Sequence, residues 1–410
     1  MRISVKKTLF FISSAIILTS RFWGVNTTDG LRYALMAAWD LYFVLSYFSY
    51  REMNEKKQII RLNLCLALVP FVIFFIYTIF LWVGGTGVIF ANFTRLCSTF
   101  LRMSLVYTYA CTAIYLFYEK GVDILFWAGV CSYACGSVLY LITSYGISGL
   151  NSYIRTLIFG ENSVANYAME VHDLTFAMGN LFLFYLFFEK KSEKNHKTKI
   201  VTSLLLILLG LKRIEIMALG IAILLYLVLI RWGKTIKARA TICAVGAITV
   251  CLSYIFIIKS GILSALVMQF GIEDSGRISY YLFSNRFYEF KIGYPGKGWT
   301  WFGRYFQQLN LSGFRIDGHG VAASIHSDIL MMFIEIGFIL FVIWIAYMFM
   351  ARPIILERKQ GTLTSECVLL LTLYMFILYL TDNTLNYLDT QLLFLLVPMT
   401  VAIQENYRSK

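Results

Sequence analysis

Charge is scarce in this chain. Of its 410 residues, 14% are Asp, Glu, Lys or Arg and 59% are hydrophobic. A soluble protein averages about a quarter charged. That deficit excludes an ordinary soluble domain. Period-two alternation is missing, which excludes an outer-membrane barrel. No CxxC pair occurs among Cys65, Cys97, Cys111, Cys131, Cys135, Cys243, Cys251 and Cys367. They read as small packing residues, not as a disulfide framework or a metal site. Histidine is confined to positions 172, 196, 319 and 326. A zinc site needs three ligands, and the spacing of His319, His326 and Asp328 fits no strong motif, so no metal is expected. The turn at 295–298 lacks the GxxxxGK[ST] spacing, which excludes a Walker loop. No internal repeat is visible, against a carrier built from two similar halves. Arg2, Lys6 and Lys7 precede an apolar run with no small-residue cleavage site, so an uncleaved first span is expected.

What is present is a series of apolar runs of about 20 residues, the length a helix needs to cross hydrocarbon. The reading is an all-α polytopic membrane protein, one integral domain over 1–410. Twelve spans are placed at 7–22, 32–50, 60–83, 96–118, 122–145, 166–188, 198–211, 213–230, 238–259, 326–349, 363–381 and 388–404. A tight hairpin separates the seventh and eighth, because Lys212, Arg213 and Glu215 are expensive at mid-bilayer. Basic residues gather at 2–7, 51–61, 120, 190–199, 231–239, 352–359 and 408–410. Under the positive-inside rule, this puts both termini in the cytoplasm and a long loop, 260–325, outside, between spans nine and ten. The net charge of +13 then reflects topology, not nucleic-acid binding.

Polar residues concentrate toward the outer side. Asp40 falls inside span two. Arg95 and Arg102 share a face of span four. Asn166, Glu170, His172 and Asp173 sit at one end of span six, and Arg213 and Glu215 at the hairpin. The long loop carries Glu273-Asp274-Ser275-Gly276-Arg277, then Tyr280, Tyr281, Arg286, Tyr294-Pro295-Gly296-Lys297-Gly298-Trp299, Arg304, Arg315 and Asp317-Gly318-His319-Gly320. Ile278, Tyr281, Leu282 and Tyr288 recur at helical spacing, which predicts a helix from 277 capped near Asp274-Ser275 and lying along the membrane surface. Guanidinium groups grip phosphate oxygens in two-pronged fashion, so Arg95, Arg102, Arg213, Arg277 and Arg286 are candidate anion ligands. Tyr281 and its aromatic neighbours suit sugar faces or the interface itself. His196 lies in a Lys-rich stretch and is expected to be solvated. His326 is expected at the start of a span, on one helical face with Leu330 and about 14 Å along the axis from Glu335.

Three of these segments resemble a known pattern. Bacterial O-antigen polymerases and ligases, with the related capsule and exopolysaccharide polymerases, have many spans and one large late loop. In that loop an arginine comes early, a Pro-x-Gly-x-Gly turn follows, and a His-[Ser/Asn]-x-x-Leu-x-x-x-x-Glu-x-Gly run leads into the next helix. Here these are Arg277, Pro295-Gly296-Lys297-Gly298, and His326-Ser327-Asp328-Ile329-Leu330 with Glu335-Ile336-Gly337. The turn departs slightly, with Pro295 directly before Gly296. Arg213 stands where the family has an arginine just before the loop, but Lys212 replaces the usual Ser.

The resemblance covers residues 210–337 and implies a glycosyltransferase of the GT-C-like membrane class, with short helices in the extracellular loop. It implies transfer of a growing glycan from an undecaprenyl pyrophosphate carrier to a lipid-linked repeat unit, without metal or cofactor. His326, Arg277 and Arg213 would be catalytic. Arg95, Arg102, Arg286, Glu335 and Tyr281 would bind substrate. Expected partners are the lipid-linked oligosaccharide, membrane lipid, a chain-length regulator and a flippase. The expected location is the bacterial cytoplasmic membrane. A ligase of the same superfamily and a lipid-linked oligosaccharide transporter are the alternatives.

Overall fold

A computed structural model describes residues 4–19, 21–22, 25–26, 29–49, 55–86, 90–159, 172–191, 193, 195–210, 212–270, 277–313, 315–316, 319–320 and 325–408. Asn166, Glu170, Glu273, Asp274, Ser275, Gly276, Asp317 and Gly318 lie outside these residues, as do the side chains of His172 and His319.

The chain is helical almost throughout. The helices are α1 (Val5–Ile17), α2 (Asp29–Ser49), α3 (Glu55–Leu81), α4 (Phe90–Phe117), α5 (Lys120–Tyr133), α6 (Leu139–Phe159), α7 (His172–Phe187), α8 (His196–Leu209) and α9 (Arg213–Trp232). They continue with α10 (Ile236–Lys259), α11 (Ile262–Phe270), α12 (Arg277–Ser284), α13 (Trp301–Leu311), α14 (Asp328–Ala346), α15 (Arg352–Gln360), α16 (Thr362–Thr381) and α17 (Leu388–Arg408). Two antiparallel two-residue hairpins, Arg21–Phe22 with Val25–Asn26 and Arg315–Ile316 with His319–Gly320, are the strands among the described residues.

Seven helical stretches among the described residues are long and apolar enough to cross a membrane: Glu55–Gly85, Asn92–Phe117, Lys120–Thr156, Arg213–Trp232, Ile236–Lys259, Asp328–Gln360 and Thr362–Thr381. The protein is therefore a polytopic helical membrane protein. The expected spans overlap helices, the sixth only over 172–187 because 166–171 lie outside the described residues, and three others differ from expectation. The first stops at Ile17, because residues 21–22 turn into a hairpin. At 1.5 Å per residue its 13 residues rise about 20 Å, less than a hydrocarbon core. The fifth runs past its expected end at 145, through a break at Gly146, to Phe159. The tenth is broken at Gly337, where φ is 76° and ψ 175°.

The core is built around the last two helices. α17 packs on α3, α4, α5, α7 and α16, and Leu392 through Val397 are almost wholly buried. By contrast α9 and α10 turn large apolar side chains outward, among them Leu224, Trp232, Val245 and Phe256. A helix apolar on every side is at home either in a protein core or against lipid, and the two pairs take these two options.

Buried polar groups lock the helices together. Arg32 of α2 pairs with Asp389 of α17 at 3.0 Å and donates to the Ile17 carbonyl. Asp173 of α7 accepts from the backbone N–H of Asp389 and Thr390. Asp40 accepts from the Thr112 hydroxyl at 2.9 Å. Two expectations are corrected. His196 is not solvated: it is 9% exposed, with Nδ1 2.8 Å from Glu189 Oε2. Glu215 is not at a surface either: it is fully buried beside the Tyr374 hydroxyl, while Arg213, two residues earlier, is exposed. The hairpin itself stands, since α8 and α9 are separate helices. All eight cysteines are free.

Candidate functional site

The break in α14 organises the site. A glycine at φ 76° interrupts the i→i−4 ladder and strands backbone groups on either side. In a membrane such groups need partners inside the protein. The turn at 294–298 supplies them. The Lys297 N–H donates to the carbonyls of Ile334 and Glu335, and the Gly298 N–H donates to Glu335 at 2.8 Å. The Phe338 N–H donates to the Tyr294 carbonyl at 2.9 Å, and the Tyr294 hydroxyl to the Ile334 carbonyl. The two backbones lie so close that a Cβ on Gly296 would come within 2.6 Å of the Gly337 nitrogen. One contact thus explains Gly296 and Gly337, while Gly298 is packed against Trp82 and Thr78. α3 and the residue that follows it hold the turn from the other side: the Tyr77 hydroxyl and the Trp82 indole N–H donate to the Pro295 and Lys297 carbonyls, and Thr78 Oγ1 accepts from the Trp299 N–H.

Glu335 continues the arrangement. One carboxylate oxygen accepts from the Thr300 N–H at 2.8 Å. The other accepts from Phe302 and Gly303 at 3.0 and 3.1 Å. These are orphan donors at the N-terminus of α13, so Glu335 serves as that helix's cap. Thr300, at φ 71°, lets the chain turn into the helix.

Above this frame lies a cavity of about 360 Å³. α4 contributes Arg95, Thr99, Arg102 and Met103 to its wall, and the start of α13 contributes Trp299, Thr300 and Gly303. His326, Met331 and Glu335 form another side, with Phe71 behind. The remaining wall is the short linker between α16 and α17, through Asn383, Leu385, Asn386 and Tyr387. The Arg95 guanidinium donates to Gln307 Oε1 at 2.6 Å. Arg102 and Arg304 lie within its electrostatic reach, with Glu335 as the opposing charge. Arg95 and Arg102 thus line the cavity with Arg304 in electrostatic reach of Arg95, against one lining carboxylate whose oxygens are already engaged, so the cavity is electropositive.

His326 is not on the helix. It sits one residue before the Ser327 cap, at φ 54°, and α14 begins at Asp328. It therefore shares no helical face with Leu330. Several contacts help to set its position. Tyr281 donates to its carbonyl at 3.2 Å, Asn383 Nδ2 lies 3.3 Å from its Nδ1, and the Asp328 N–H donates to the Asp382 carbonyl. The orientation of the Asn383 amide decides the ring's chemistry. With the amide nitrogen toward Nδ1, the neutral ring carries its proton on Nε2 and donates. With the amide oxygen there, Nδ1 carries the proton and Nε2 is a base.

Of the residues singled out in the sequence, Arg95, Arg102, His326 and Glu335 meet at this cavity. The other four do not line it. Arg277, at the start of α12, donates to the Thr381 carbonyl at 3.1 Å, directly before the linker. Tyr281 is buried behind His326, and burial beside the Tyr254 hydroxyl raises its phenol pKa. Arg286 is exposed, over the Phe283 ring. Arg213 is exposed at the first residue of α9. The predicted helix from 277 ends at Ser284, and Tyr280, Tyr281 and Ser284 are buried within the protein.

Sequence reading passed over the 382–387 linker. Its signal was a polar run, Asp382-Asn383-Thr384-Leu385-Asn386-Tyr387, between two strongly apolar helices. It is stapled down by the Leu385 N–H to Asp328 at 2.7 Å and by Tyr387 to Asp382. Among the described residues no cluster of His, Cys, Asp and Glu could hold a metal ion. The chain matches no protein-family model and no curated protein.

Proposed function

We propose that the protein is a polysaccharide polymerase of the bacterial cytoplasmic membrane, acting on lipid-linked repeat units at the outward face. The observation that carries this reading is the meeting of separate motif segments. The Pro295–Gly298 turn is hydrogen-bonded to the broken helix at Ile334 and Glu335, and His326 and Glu335 line one cavity together with Arg95 and Arg102 from the distant α4. The turn, His326 and Glu335 also carry the resemblance to the O-antigen polymerase and ligase superfamily.

In this reading a carrier pyrophosphate lies against Arg95 and Arg102, with Arg304 adding positive potential. The bond between the anomeric carbon and the phosphate oxygen breaks, and its electron pair leaves with the lipid pyrophosphate. Guanidiniums aimed at that developing charge favour departure. An acceptor sugar hydroxyl forms the new glycosidic bond. Its proton passes to His326 Nε2, which requires the Asn383 oxygen to face Nδ1. Asn383, Asn386 and Tyr387 offer amide and phenol groups suited to sugar hydroxyls. Arg277 and Tyr281 act as positioning residues, the first through the linker and the second through the His326 carbonyl.

The twelve-span layout, with both termini cytoplasmic and 260–325 outside, belongs to the same reading. Labelling of single cysteines in intact cells tests it: position 310 should react and position 195 should not. The reverse pattern would overturn the orientation. For function, deletion of the gene should leave single unpolymerised repeat units on their carrier. Full-length but unattached polymer would indicate a ligase instead, and unchanged glycan on both sides of the membrane would sink both.

A further inference from the structure

We propose that a small buried pocket beside Arg352 binds a monatomic anion, chloride under physiological conditions. Arg352, at the start of α15, is 2% exposed. Its Nε and Nη2 are buried and have no hydrogen-bond partner among the described residues. The guanidinium lies 5.0 Å from the centre of the Phe394 ring, which offers a π-face but no net charge. Beside it is a pocket of about 20 Å³, walled by Tyr107, Tyr379 and Gln391 on its polar side and by residues such as Phe71, Trp344 and Met348 elsewhere. No carboxylate is among its lining residues.

The hydrogen bonds already made there select the guest. Tyr107 donates to Gln391 Oε1, and Gln391 Nε2 donates to the Tyr379 oxygen and the Thr384 carbonyl. Both ends of the amide are spent. Among the side chains, what remains is a set of donors: Nε–H and Nη2–H of Arg352 and the hydroxyl proton of Tyr379. A water needs acceptors as well as donors, whereas a monatomic anion accepts only. An uncompensated buried charge is costly, and a neutral water would leave it uncompensated. The volume admits one water-sized or slightly larger guest, which rules out phosphate and carboxylate ligands. The pocket shares the side chains of Phe71 and Leu385 with the larger cavity, but the inference is independent of any glycan chemistry.

The test uses the purified full-length protein. Crystals grown in bromide should show an anomalous peak beside the Arg352 guanidinium. Thermal unfolding of the wild type should fall by several degrees when chloride is replaced by gluconate at equal ionic strength, and bromide should restore it. Arg352→Gln should be insensitive to that exchange. A bromide map with no peak there, whatever the melting shows, overturns the proposal in favour of an ordered water only. That readout stands even if Arg352→Gln does not fold.

Discussion

Two charge clusters in this protein each contain a histidine, basic side chains and at least one carboxylate, and they are built on opposite terms. In the first, where α7 ends and α8 begins, Glu189 binds His196 Nδ1 at 2.8 Å and the Lys199 amine at 2.5 Å. Lys199 also reaches Asp123 at 2.7 Å, and Tyr185 donates to the same carboxylate. Every charge there faces an opposite one, and Lys199, His196 and Glu189 are buried. In the second, Arg95 and Arg102 face open space, Arg304 stands nearby, and the one carboxylate is used up on backbone N–H groups. A satisfied cluster joins helices. A cluster with surplus charge beside a void is set up to meet something of the other sign. Residue type does not separate the two; what the charges face does.

His326→Gln strikes the second cluster hardest. Turnover on defined lipid-linked repeats is expected to drop by about 10²–10⁴, with protein level and folding unchanged. Retention of more than about a tenth of wild-type turnover would remove the proton-acceptor role and leave a hydrogen-bonding one. Next come Arg95→Gln and Arg102→Gln. Each is expected to lower turnover by about 10²–10³, as loss of a transition-state anion ligand does. A rise in KM alone would mean these arginines bind ground and transition states equally.

A smaller loss is expected for Arg277→Lys. Its guanidinium holds the Thr381 carbonyl and acts through the linker, so turnover should fall about tenfold. A loss as deep as that of Arg102→Gln would put Arg277 in contact with the substrate. Glu189→Gln tests the first cluster: turnover per folded molecule should be unchanged while stability falls by about 3 kcal/mol, read by thermal or denaturant unfolding. Changed turnover at unchanged stability would collapse the contrast between the clusters. Least of all, Arg213→Ala and Arg286→Ala should leave both activity and stability near wild type, because both side chains are exposed and away from the cavity. Inactivity of a folded Arg213→Ala protein would show that α9 comes to the site during turnover.

Much of the helical layout was legible before any coordinates. Apolar runs of membrane length and the helix break between Leu209 and Arg213 follow from local composition. So does the value of Pro295-Gly296-Lys297-Gly298 as a turn. What composition could not carry was the partner of each polar group. His196 and Glu215 read as surface residues because their sequence neighbours are charged, yet Glu189 and Tyr374 bury them. The 382–387 linker read as a connection because nothing local marks it as a wall. Arg213 and Arg286 have the right chemistry for an anion site but lack the position.

Taken alone, the sequence determined that this is a polytopic helical membrane protein. Hydrophobic length and charge distribution are local properties, and a bilayer sorts them directly. Tertiary structure decided which polar residues act together. Glycine at 337 is only a permissive residue until Gly296 packs against it; Glu335 is only a buried acid until the α13 backbone points three N–H groups at it. Arg95 and His326 lie more than two hundred positions apart and share a cavity only because α4, the broken α14 and the last linker converge. Hydrogen bonds and charge pairing act over a few ångströms of space, and separation along the chain says little about that distance.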